Sequence, residues 1–183
     1  MFRFSKTEAF IRTVMAVCAL AAVIGFPLIL PAQRAAQSSE HPSQPLAFIV
    51  NKSNPVNNLS HQELMKLFLG ERGYWRKGRK VTVVMQEEGM EGREAASRQV
   101  YRMTESDYNR YVLQAAFTGN LQSGPKLLSS EARVVKFISF VTGAIGYVRL
   151  SEVDDSVKVL KIDGLAPDDA AYKFYVERRR EAP

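Results

Sequence analysis

The 183-residue chain is 46% hydrophobic and 24% charged, a globular balance that excludes wholesale disorder and predicts one domain once the N-terminus is set aside. The net charge of +6 is concentrated at the start, where Arg3, Lys6, Arg12 and Arg34 stand against Glu8. Taking those from 25 basic and 19 acidic residues leaves 21 and 18, and a body excess of +3 argues against nucleic acid as a partner.

Residues 13–33 carry no charge and follow Arg3, Lys6 and Arg12. A positive segment followed by an apolar one predicts an export signal over residues 1–33. The uncharged stretch of 21 residues is also long enough to span a bilayer, so cleaved signal and retained anchor both stand. No good cleavage site follows: at Leu30-Pro31-Ala32 a large residue occupies the position that should be small. Either way the basic residues stay cytoplasmic and the body reaches the periplasm, touching the membrane only through an uncleaved segment. Cys18, the single cysteine, lies inside this segment behind Val17, which disfavours lipidation and leaves the body without a disulfide. Residues 34–45, RAAQSSEHPSQP, read as a polar linker.

The predicted domain runs over residues 46–165. It opens with the apolar run LAFIV at 46–50, a buried strand, followed by a turn-rich loop with Pro55. Ser60 and Glu63 make a capping box, Leu59 and Leu64 a hydrophobic staple, and Leu64, Leu67 and Phe68 one apolar helix face that Gly70 closes. After a turn at 74–78, residues 81–85 form a second strand. One helix starts near Gly92 and carries Ala96, Val100 and Met103. Another starts at Thr104 and places Tyr108, Tyr111, Val112, Ala115 and Ala116 on one stripe. Ser129 or Ser130 caps a third, with Val134, Phe137, Ile138 and Val141 inward and Gly143 at its end. Residues 144–148 and 157–162 are the last strands, and 166–183 form a charged C-terminal tail. Strands alternating with helices predict an α/β layer structure with a largely parallel sheet, and the near-continuous apolar strands predict cover on both faces.

VNKSNPVNNLSHQELMKLFLGE, then Trp75 and Gly78, then VTVV, GAIGYV and VKVLKIDG, come in a distinctive order. This order resembles the phosphate-binding proteins of phosphate ABC transporters, with the type 2 periplasmic binding protein fold, over residues 46–165. The resemblance implies a three-layer lobe, a mostly parallel sheet with helices on both faces. Complete members clamp their ligand between two lobes, and this chain has material for one. The family places a Gly-Ser-Gly-Thr run after the strand at 81–85, where backbone N–H groups at a helix start and two hydroxyls wrap an oxyanion. Here Gly89 is kept, Met90 stands at the Ser position and Gly92 at the Thr position, so both hydroxyls are gone. Arg93 supplies a charge-assisted donor in their place, while Glu87, Glu88, Glu91 and Glu94 oppose an anion.

Gly89, Met90, Gly92 and Arg93 are therefore the first candidate ligand residues, with an ordinary helix start as the alternative. Asn51, Ser53 and Asn54 follow the first strand, at the carboxyl end of the sheet where α/β folds bind ligands, with turn formation as the alternative. Trp75 reads as a packing anchor or a stacking platform. His41 and His61 are isolated, with His61 expected on the surface, and no metal cluster, G-x-S-x-G, P-loop or dinucleotide fingerprint occurs. Neither enzyme activity nor a cofactor is expected. The expected function is an exported solute-binding-like module with weak or altered binding of a small oxyanion such as phosphate. The alternative is a periplasmic protein-interaction or scaffold module with a vestigial site, docking on an envelope protein or on a second copy of itself.

Overall fold

Residues 44–51 alternate their side chains between two apolar layers, and the rest of the fold is arranged around that strand. The computed structural model describes residues 43–76, 78–119, 121 and 124–177. The export segment, the linker up to residue 42 and the end of the charged tail lie outside the described residues. In chain order the elements are β1 (Gln44–Asn51), β2 (Asn58–Leu59), α1 (His61–Phe68), β3 (Thr82–Gln86), α2 (Glu91–Ala96), α3 (Glu105–Phe117), β4 (Lys126–Leu128), α4 (Glu131–Phe140), β5 (Ala144–Arg149), β6 (Val157–Val159), β7 (Lys161–Ile162) and β8 (Tyr175–Val176). Among the described residues no helix is long and apolar enough to cross a membrane.

The main sheet has the order β4-β3-β5-β1-β6, with β8 also paired to β1. β3 is parallel to β4 and β5, whereas β1 is antiparallel to β5, β6 and β8. The sheet is thus mostly parallel in direction, with β1 alone running against the others. Leu46, Phe48 and Val50 face a layer built by α1, α2 and α3, while Ala47 and Ile49 face Val134, Val135 and Ile138 of α4. These are the three layers of an α/β lobe.

Local signals explain most boundaries. Ser60 caps α1 with the full reciprocal box to Glu63, Thr104 caps α3 on Asp107 N, and Ser130, not Ser129, caps α4. Gly70 closes the α1 turn at φ +74°, a conformation that a Cβ disfavours. His61 is half-buried, its ring 5.4 Å from that of Phe174 and its Nε2 3.0 Å from the Val100 carbonyl.

Beyond His61, which the sequence placed on the surface, four features depart from expectation. The helix after Gly92 does not run regularly to Met103: α2 passes into a π turn at Ser97–Tyr101, and Arg102 ends it at φ 56°. The α3 stripe is narrow, with Tyr108 and Ala115 buried but Ala116 exposed. β4 was not legible, because it has three residues and two are exposed. Residues 166–176 are no free tail: Phe174 meets Phe48 edge-on at 5.3 Å, Tyr172 Oη donates to the Leu46 carbonyl at 2.8 Å, and Val176 is buried. The charged terminal run hid an aromatic segment that completes the core beside β1.

Candidate functional site

The carboxyl end of β3 turns through residues 87–90 into α2, so the strand-to-helix corner read from the sequence is present. Gly89 adopts φ +81°, and Met90 is the N-cap without a side-chain cap hydrogen bond. Glu87 and Glu88 are exposed, and Glu88 accepts a hydrogen bond from Asn109 Nδ2.

Arg93 does not face this corner's solvent. It is 1% exposed, donates to the Gln86 carbonyl at 3.0 Å and to Asn109 Oδ1 at 2.9 Å, and lies over the Tyr108 ring at 5.8 Å. Its Nε stands 3.7 Å from Glu105 Oε1. The guanidinium therefore ties the end of β3 to the start of α3. Gly92 has a packing reason as well, since a Cβ there would meet Gln86 Oε1 at 2.6 Å. Gln86 in turn donates to Glu131 Oε1 at 3.2 Å. Beneath the corner, Tyr101 stacks on Tyr108 at 4.8 Å. Burial pushes the phenols of Tyr101, Tyr108 and Tyr147 well above the usual tyrosine range, so all three stay neutral at ordinary pH.

Asn51, Ser53 and Asn54 sit at the opposite end of the sheet. Because β1 is reversed, its last residues lie beside the amino ends of β3 and β5, with Val50 paired to Ile145 and Thr82 to Ala144. The seven candidates are thus not brought together. A buried apolar strand reads the same in either direction, so its sequence did not disclose the reversal. Asn51 is 6% exposed and committed: Nδ2 donates to the Ile138 and Ser139 carbonyls at 2.9 and 2.7 Å, and Oδ1 accepts from Ser53 N at 3.0 Å and Ser53 Oγ at 2.8 Å. Asn54 Oδ1 accepts from Val56 N at 3.0 Å, and Lys158 Nζ donates to the Asn54 carbonyl. Trp75 is an anchor, donating from Nε1 to the Gly143 carbonyl at 3.0 Å.

Sequence reasoning missed a cavity at this second end. It has a volume of about 510 Å³ and is lined by Asn54, Val56, Leu59, Glu63 and Trp75 with Arg72, Arg76 and Arg79. The three arginines were visible as a spacing around Trp75, but a run of charge between a helix and a strand reads as a solvated turn. Only the folding of that turn against residues 54–59 makes it concave.

No protein-family model matches the chain. Solved structures do. A candidate phosphate ABC transporter substrate-binding protein from Clostridium perfringens, with bound phosphate, aligns at TM-score 0.57 and 23% identity over 68% of this chain and 47% of that one. PstS from Borrelia burgdorferi aligns at TM-score 0.55 and 15% identity over 68% and 49%. An ABC-type phosphate transport receptor from Vibrio cholerae aligns at TM-score 0.50 and 21% identity over 68% and 48%. The chain has the fold of one lobe of these phosphate-binding proteins. It spans about half the length of the solved structures it matches.

Proposed function

We propose that the protein is a non-catalytic binding lobe for a small oxyanion, exported across the inner membrane and working in the periplasm. The observation that carries the reading is the β3–α2 corner, with its left-handed Gly89 and a helix start lacking a side-chain cap, in a fold shared with a structure that holds phosphate. Backbone amides at such a corner attract an anion by about 0.3–1 kcal/mol. A carboxylate at roughly 7 Å, in a dielectric between protein and water, opposes it by about 1 kcal/mol. Glu87 and Glu88 are both exposed there, while the Arg93 charge is held inside. The two carboxylates offset that attraction, so the proposed binding is weak, with a dissociation constant in the millimolar range.

Isotope-labelled full-length protein titrated with inorganic phosphate and with sulfate tests the reading by NMR. Saturable shifts centred on the amides of residues 89–93 are expected. A spectrum unchanged at tens of millimolar, on the order of ten times that dissociation constant, overturns it. Export is tested by a phosphatase reporter fused after the linker, active only outside the cytoplasm.

A protein-interaction reading has its own observation. Leu113 and Phe117, one turn apart on α3, are 59% and 84% exposed, and Leu127 on the edge strand β4 is 45% exposed. Apolar groups displayed this way favour a protein partner. Sedimentation showing mass that rises with concentration, beside a silent anion titration, favours this second reading.

A further inference from the structure

We propose that the arginine-lined cavity at the amino ends of β3 and β5 is a binding site for an organic phosphate monoester, independent of the β3–α2 corner. Arg72, Arg76 and Arg79 line it with a single carboxylate, Glu63, which leaves an excess of two positive charges on the wall. Glu63 is shared between Arg72 at 3.3 Å and Arg76 at 3.4 Å. Arg79 donates to neutral acceptors, the Thr142 carbonyl at 3.3 Å and Ser53 Oγ at 3.5 Å. A dianionic head matches that excess better than a monocarboxylate does. Planar guanidinium forks suit phosphate oxygens.

Asn54 is the second, separate observation. The residue borders the cavity and is 2% exposed, and its Nδ2 has no hydrogen-bond partner. The amide orientation is fixed, because Oδ1 accepts from Val56 N at 3.0 Å and a reversed amide would set two donors face to face. A buried donor left unpaired is costly, which marks this wall of the cavity as incompletely satisfied.

Size and lining then select the class. A volume of about 510 Å³ falls within the roughly 300–1,000 Å³ of small-molecule sites. A bare oxyanion leaves most of that space to water. Pro55, Val56, Leu59 and Trp75 give the remainder an apolar wall, which an aromatic or aliphatic body covers. The wall is held in place: Trp75 is pinned to the Gly143 carbonyl, and its own backbone N donates to the Arg79 carbonyl at 2.8 Å.

Trp75 is the only tryptophan in the chain, so its fluorescence reports this cavity directly. Full-length protein is titrated with phenyl phosphate, benzoate and inorganic phosphate. Phenyl phosphate is expected to change the Trp75 emission saturably and to bind at least about tenfold tighter than either comparison anion. Arg76 has a side chain 81% exposed, so Arg76→Gln keeps the fold, checked by its melting curve, and weakens phenyl phosphate about tenfold. Arg79→Gln does the same. Glu87→Gln, an exposed position at the other end of the sheet, leaves the titration unchanged. No emission change with phenyl phosphate on folded protein, equal affinity for all three anions, or unaltered binding by both arginine variants overturns the proposal. None of these outcomes bears on the shifts expected at residues 89–93.

Discussion

The two ends of one sheet place their arginines in opposite ways. At the carboxyl end of β3 the arginine is inside and the acids are outside, with Arg93 1% exposed and Glu87 and Glu88 open to water. At the amino end the asparagines are inside and the arginines line the opening, with Asn51 and Asn54 buried and Arg72, Arg76 and Arg79 around a cavity. The strand-to-helix corner and the arginines that meet solvent thus lie at opposite ends of the strands. A fold match transmits the first and not the second, because turn and helix placement follow the chain path, whereas side-chain charge is set residue by residue.

The largest expected contrast between the ends is in alkali. Tyr101, Tyr108 and Tyr147 cluster beneath the carboxyl corner, and burial raises each phenol above its ordinary value of 10.0. A raised folded-state value means that the protonated form is favoured by folding. The stability it contributes is complete below pH 10 and is lost as pH rises beyond it. Near-ultraviolet circular dichroism and phenolate absorbance should change together, in one cooperative step above that pH. Ionisation of these phenols with the fold intact would show the corner's underside to be open.

Removing Arg93 comes next. Arg93→Ala takes away donors to the Gln86 carbonyl and Asn109 and the ion-pair partner of Glu105. A loss of about 2–4 kcal/mol in urea unfolding is expected, with part of the Glu105 charge relieved by its 25% exposure. Unchanged stability with lost phosphate shifts would instead place Arg93 among ligand contacts and erase the contrast between the ends.

The smallest effect sharpens the comparison. Glu87→Gln removes one exposed carboxylate near the corner and should tighten inorganic phosphate about fivefold by NMR, the equivalent of roughly 1 kcal/mol. The phenyl phosphate titration at Trp75 should not change.

Where a short-range rule governs, the sequence disclosed the answer. The Ser60–Glu63 box, the Thr104 cap and the Gly70 stop each depend on a handful of neighbouring residues, and each is where the pattern put it. The candidate site was legible at the same level, as a strand, a glycine turn and a helix start. What the site faces was not. Arg93 is buried by α3, which begins twelve residues later, and Asn51 by the end of α4, 87 residues away. The cavity between residues 54–59 and Arg72, Arg76 and Arg79 exists only because two turns pack together. Tyr172 and Phe174 close on a strand more than a hundred residues earlier.

The amino-acid order by itself determined most element types, the caps of α1, α3 and α4 and an α/β layering covered on both sheet faces, since hydrophobic period, capping chemistry and turn residues act over a few positions. The tertiary structure alone decided the direction of β1, and with it which candidate residues share an end of the sheet. It also decided which arginines meet solvent. Both depend on pairing between distant segments, where burial cost and hydrogen-bond satisfaction outweigh any local preference.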